Sequence, residues 1–212
     1  MQRDLSFSTP FLKSRLIEGP ESVRLDSPTV LVNCADRPVT VENTVIRPWR
    51  STVFRNTVVS NYERLVLISL DSPLIEDEIL RFREDLKKRW RHVQDIFPLP
   101  HLADTQLWRS DKDKIGTTEL NLWFAAAGTH CGIHNKHDFM EVHTQVYGVG
   151  RMQKFRGDDF GTLYEEVFLA PGMTHEPFCD HDNRYPWHQY YADTDCVWLA
   201  IEFHGSSLIR QR

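Results

Sequence analysis

The chain has 212 residues, of which 41% are hydrophobic and 26% charged. That balance is ordinary for a soluble globular protein and excludes a chain too polar to build a core. The formal net charge is −5 with neutral histidines, so neither nucleic acid nor an anionic membrane surface is expected as a partner. No apolar run approaches the length of a membrane span, and the start, Met1 to Ser8, lacks the shape of a signal peptide. The cysteines, Cys34, Cys131, Cys179 and Cys196, are scattered without a CxxC pair, which reads as reduced thiols in a cytoplasmic protein.

In chain order, residues 1–20 are polar, with Pro10 and Pro20, and read as an irregular arm that packs on a neighbour. From 23 to 70 the pattern is strand-like: Val30 to Asn33, Val39 and Val41, Thr52 to Val59, and Leu65 to Leu70 are short β-branched runs separated by turn residues. The pattern then changes. Asp71, Ser72 and Pro73 look like a capped helix start. Ile75, Ile79, Phe82, Leu86, Trp90, Val93 and Phe97 recur at steps of four and three, predicting one long amphipathic helix over 71–97. Residues 98–118 read as loop. From Glu119 the chain is strand-rich again, with Leu120 to Ala125, Val142 to Tyr147, Met152 to Arg156, Tyr164 to Leu169 and Val197 to Phe203 as strands. Residues 176–192 form a long aromatic insertion, read as a surface loop or, from its aromatic content, as a lid folded over the mouth of a barrel. Short strands with close turns imply an antiparallel sandwich or barrel. No glycine- or serine-rich linker separates the blocks, so a single domain over 1–212 is expected, with its core over 119–204.

The chemistry concentrates between Gly128 and Gly148. His130, His134, His137, His143 and Glu141 fall in this stretch, and histidine nitrogen and carboxylate oxygen are ligands for zinc, iron, manganese or nickel. Glu141, His143 and Gln145 share one parity, Val142 and Val146 the other. On a strand this gives one polar and one apolar face.

The spacing resembles the cupin family. Five residues separate Gly128 from His134, three separate His137 from Glu141, and six separate Glu141 from Gly148, as in the first cupin motif. The departure is two residues rather than one between His134 and His137, which a loop or bulge before the strand would absorb. Gly172-Met-Thr-His175 matches the end of the second motif, with Pro171 one place closer to the glycine than usual. The resemblance implies a mainly β fold, a cupin-type antiparallel barrel or jelly roll with added N-terminal strands and the long helix. It also implies a divalent metal on His134, His137, Glu141 and His175. Iron(II) is the first expectation, with zinc, nickel or manganese as alternatives. His143 and Tyr190, one beside Glu141 and the other in the insertion, are the candidate proton-moving residues. The function expected is a metal-dependent oxygenase acting on a small polar metabolite chelated at the metal. A zinc, nickel or manganese lyase or isomerase is the second reading, and a non-catalytic sugar- or metabolite-binding module the third. A homodimer is expected from the N-terminal arm and the apolar helix stripe.

Overall fold

The computed structural model describes residues 1–70, 76–179 and 184–205. The first block of strands is β1 (Gln2–Asp4), β2 (Leu12–Glu18), β3 (Val23–Leu25), β4 (Thr29–Asn33), β5 (Val39–Val41), β6 (Thr44–Ile46), β7 (Ser51–Phe54), β8 (Thr57–Val59) and β9 (Arg64–Leu70). Helix α1 (Glu76–Arg89), strand β10 (Arg91–His92) and the short helix α2 (Val93–Ile96) follow. The second block is β11 (Leu107–Arg109), β12 (Asp113–Ile115), β13 (Thr118–Ala125), β14 (Met140–Tyr147), β15 (Gly150–Phe155), β16 (Leu163–Leu169), β17 (Trp187–Ala192) and β18 (Cys196–Phe203). Every strand pairing among the described residues is antiparallel. The fold is therefore mainly β, as expected, and no helix among the described residues is long and apolar enough to cross a membrane.

Three sheets position the site. The first block gives a five-stranded sheet in the order β1-β2-β9-β4-β7. The second gives a sheet in the order β10-β11-β13-β18-β14, with β12 also on β13, and a three-stranded sheet β16-β15-β17. Strand alternation decides what each face meets. Leu120, Leu122 and Phe124 of β13, Val142 and Val146 of β14, and Val197, Leu199 and Ile201 of β18 share one buried cluster with Leu12, Leu16, Val30, Val32, Val66 and Ile68 of the first sheet. One apolar core is thus built from both blocks. The alternate residues, among them Trp123, Glu141, His143, Trp198 and Glu202, line a cavity of about 590 Å³ on the opposite side of the same sheet. The expected split of β14 into an apolar and a polar face is what this arrangement uses.

Two readings change. The segment 1–20 is not an irregular arm: β1 and β2 are strands, and β2 pairs with β9 from Leu12↔Leu70 to Glu18↔Arg64. Lys13 and Arg15 dilute the hydropathy there, but Leu12, Ser14 and Leu16 are buried beneath them. The helix predicted over 71–97 is also divided. Its proposed start, Asp71 to Ile75, lies outside the described residues; α1 ends at Arg89, and β10 and α2 replace the last turns. The reason is tertiary. Arg91 and His92 pair with Arg109 and Trp108 of β11, the His92 ring contacts the Thr105 carbonyl at 2.6 Å, and its Nδ1 accepts from the Gln94 N–H at the start of α2. Sheet pairing and a new cap override a periodicity that continues in the sequence. Phe82, Leu86 and Trp90 enter the core shared by both blocks, and Val93 the cluster beside the cavity. Among the described residues, β2 and most of the helix stripe are thus packed within the chain, while Phe97 of the stripe is exposed.

Candidate metal centre

His134 and His137 lie in the loop ahead of β14, and His188 on β17. Because the two loop residues precede the strand, the odd spacing between them imposes no strand parity. His134 is fixed by a two-way backbone bridge to His188, its N–H donating to the His188 carbonyl at 3.0 Å and the reverse bond measuring 2.8 Å. The rings then converge. His134 Nε2 is 3.0 Å from His137 Nε2, and His137 Nε2 is 3.1 Å from His188 Nε2. Two nitrogens bound at about 2.1 Å and at a right angle to one ion lie about 3.0 Å apart, so the spacing suits ligands that share a divalent metal.

The tautomers suit it too. His134 Nδ1 meets the Gly132 carbonyl at 2.9 Å, and His188 Nδ1 meets the Pro186 carbonyl at 2.8 Å. A carbonyl only accepts, so each Nδ1 carries the proton and each Nε2 presents a lone pair to the cluster. Burial, reinforced by the neighbouring rings, lowers His188 to about 3 and His137 to about 4. Both are neutral at pH 7, the form that binds metal.

Glu141 opens β14 beside them. Burial opposes its ionisation, but His143 foremost, then His137 and His188, hold it at about 2, so it is a carboxylate. Its Oε2 is 3.2 Å from His143 Nε2, and its backbone N–H donates to the Tyr185 hydroxyl at 2.7 Å. Tyr185 also lies against the His137 ring, with centroids 4.6 Å apart. The ring nitrogens of His134, His137 and His188 lie within 4.8 Å of one another and make a donor set that fits a divalent transition metal, with the Glu141 carboxylate beside it and paired with His143.

His175 stands apart from this group. It is 4% exposed, its Nε2 accepts the His143 backbone N–H at 2.8 Å, and its Nδ1 donates to the Glu176 carbonyl at 2.7 Å. Both ring nitrogens are thereby engaged by backbone, and the third imidazole of the cluster is His188. Spacing did not point to His188. The signal available was its place in the pattern Trp187 to Ala192, which forms a strand pairing residue by residue with β15. The insertion 176–192 is therefore partly sheet, with Phe178 and Tyr185 packed on the His175 and His188 rings. His181 lies outside the described residues.

His143 faces the cavity, is 8% exposed, and has a buried Nδ1 with no hydrogen-bond partner among the described residues. Tyr190 also lines the cavity, but with its ring, stacked on Trp198 at 3.9 Å. Its hydroxyl donates to Gln145 Oε1 at 2.6 Å, and burial raises its pKa, so its proton is committed. Cys131 stays a thiol, pushed up to about 11, by burial first. A second convergence, Glu119, Glu202 and His204, already has its cations: Lys112 bonds both carboxylates and Lys114 pairs with Glu119.

The neutral rings have a consequence for stability. The unfolded chain protonates histidine near pH 6.5, whereas burial holds His175 in the folded chain at about 3. Between those values the unfolded state binds more protons, so the folded state loses stability as pH falls. For this ring alone the loss reaches up to about 2 kcal/mol at pH 5. Thermal unfolding of metal-stripped protein should show the midpoint falling from pH 7 to pH 5; a flat profile would contradict a buried neutral ring.

What fold and site define is a mainly β, antiparallel protein with a histidine–carboxylate cluster on its cavity wall. No protein-family model matches the chain, and no curated protein matches it. Solved structures similar to it include cupin proteins. One, a cupin superfamily protein from Desulfitobacterium hafniense DCB-2, is 13% identical over 51% of this chain and 90% of its own, with a TM-score of 0.36. Ectoine synthase from P. lautus is 15% identical over 55% of this chain and 78% of its own, with a TM-score of 0.37. A cupin 2 conserved barrel domain protein from Leptotrichia buccalis is 8% identical over 96% of this chain and 88% of its own, with a TM-score of 0.36.

Proposed function

We propose that this chain is a metal-dependent enzyme, a non-haem iron(II) oxygenase in which His134, His137, His188 and Glu141 hold the ion. The observation that carries the reading is the convergence of three imidazole Nε2 atoms, spaced 3.0 and 3.1 Å along the set, beside an ionised carboxylate. When bound, iron(II) supplies Lewis acidity and a one-electron couple for oxygenation. The chain's own residues do the rest. Gly132 and Pro186 carbonyls fix the ring orientations of His134 and His188. Glu141 holds the His143 ring through Nε2, which leaves His143 Nδ1 as the site of proton transfer on the cavity wall. His175 braces the start of β14 through the His143 N–H. The cavity's largely apolar lining keeps bulk water from the reacting end of a substrate.

The test is metal stoichiometry on freshly purified anaerobic protein, with oxygen uptake measured against a panel of small carboxylic acids. About one iron per chain, lost in Glu141→Ala together with oxygen uptake, is the expected result. Zinc, nickel or manganese at that ratio, with turnover in the absence of oxygen, would move the reading to a Lewis-acid lyase or isomerase. Protein that takes up no metal would leave the cavity as a binding pocket and end the metal reading.

A further inference from the structure

We propose that Arg109 binds the carboxylate of the substrate, and that the cavity therefore takes a monoanionic acid with an apolar body. This deepens the reading above by naming a substrate class, and it rests on that reading for the statement that the bound acid is a substrate.

Arg109 ends β11 and lines the same cavity as the histidine cluster. It stands across from Trp123 of β13 on one side and Arg91 of β10 on the other. Its guanidinium packs against Trp123 at 5.6 Å and Phe97 at 5.5 Å. Its Nε is buried with no hydrogen-bond partner among the described residues, and no carboxylate pairs with it there. Of the acids whose charge reaches Arg109, namely Glu202, Asp111 and Glu119, none forms an ion pair with it among the described residues, and two are engaged elsewhere. Glu202 bonds Lys112 and Asn121, and Glu119 bonds Lys112 at 2.9 Å and Lys114 at 2.8 Å. Arg91, a like charge, donates to the Asp95 carbonyl instead. Burial acts against the charged form of Arg109, yet a guanidinium does not surrender its proton at neutral pH. A half-buried, unpaired cation is costly, and an anion brought by a ligand removes that cost with bidentate, charge-assisted bonds.

The remaining lining defines the rest of the ligand. Val93, Ile96, Phe97, Leu99, Leu102 and Leu107 contribute an apolar wall. Two further lining residues carry buried polar atoms without partners among the described residues, His143 Nδ1 and Trp198 Nε1. Lys136, the other lysine on the lining, is solvent-exposed. Arg109 is a half-buried positive charge without an ion pair among the described residues, next to the apolar wall and on the same cavity as the engaged carboxylates Glu141 and Glu202, and it matches one ligand carboxylate. The basic residues of β15 do not compete: Arg151 is paired with Asp193 and Glu166, and Lys154 with Glu165.

The experiment is calorimetric titration of metal-stripped protein with hexanoate and with hexanamide, its neutral isostere. Wild-type protein should bind hexanoate at least about ten-fold more tightly than hexanamide. Arg109→Gln should abolish that preference, Arg109→Lys should retain part of it, and both should load metal as wild type does, which shows that they fold. Equal affinity for the two probes, no binding of hexanoate, or a preference that survives in Arg109→Gln would overturn the proposal. His137→Ala separates the two readings, because it should lose metal while keeping the preference for hexanoate. A wild-type protein that prefers hexanoate but binds no metal would sink the metal centre and leave Arg109 as the acid-binding residue.

Discussion

His188→Ala is expected to abolish stoichiometric metal binding, while His175→Ala keeps the metal and loses stability. The geometry separates the two rings cleanly. His188 Nε2 is 3.1 Å from His137 Nε2, with its Nδ1 tied to the Pro186 carbonyl. Removing it takes one of three ring nitrogens from the cluster. Outer-shell partners of metal ligands control affinity by roughly 10–100-fold, so loss of a direct ligand should exceed about 100-fold. His175 has both nitrogens on backbone groups, the His143 N–H and the Glu176 carbonyl. Its removal leaves the buried His143 N–H without that partner, at a cost of about 1–3 kcal/mol. Metal per chain by elemental analysis and the urea midpoint of each variant, measured side by side, decide the matter. Metal retained in His188→Ala and lost in His175→Ala would restore the ligand set that motif spacing alone implies.

Gly148→Ala should cost about 3 kcal/mol or more and lower the unfolding temperature by roughly 10 °C. Gly148 ends the six-residue step from Glu141 and turns the chain from β14 into β15 with φ at +71°, a left-handed conformation that penalises any side chain. A Cβ there would lie 1.9 Å from the Asp195 carbonyl oxygen and 2.9 Å from the Asp195 carbonyl carbon. These are backbone atoms of the turn into β18 and cannot swing away as a side chain could. That turn is bonded back to the hairpin, with the Val149 N–H donating to Thr194 Oγ1 at 2.9 Å and the Asp193 N–H to the Val149 carbonyl at 3.0 Å. Gly172 plays the same part elsewhere: with φ at +86°, its Cβ would meet Val53 N and Cγ2, both at 2.8 Å. Scanning calorimetry of Gly148→Ala gives the number directly, and a loss under about 1 kcal/mol would mean that the two turns do not touch as described.

These glycines explain why part of the site is legible in one dimension. A turn that needs positive φ and close backbone approach admits little besides glycine, and ligands on or just before a strand keep a countable distance from it. His134, His137 and Glu141 are visible for that reason. Val142 and Val146 against Glu141 and His143 are visible because strand faces alternate, and the cavity does lie on the polar side. Arg109 was hidden for the opposite reason. It sits in a three-residue strand, Leu107–Arg109, inside a stretch that is polar and irregular by composition, and its importance comes from what surrounds it. Strand β10 was hidden because a good helical stripe runs through it, and only the pairing with β11 cuts that stripe.

Local sequence thus determined the β class, the alternation of faces, the turns that require glycine and the presence of metal-seeking side chains. These follow from backbone sterics and ligand chemistry, which act over a few residues. The tertiary structure decided which histidine completes the cluster. His188 reaches it because β17 pairs with β15 and bridges His134 across the chain, while His175 is turned to the backbone of β14. It also decided that the first strand block shares the core of the second, and that Arg109 lines the cavity with no ion pair among the described residues. Such outcomes depend on pairings between residues far apart in the chain, which no local spacing encodes.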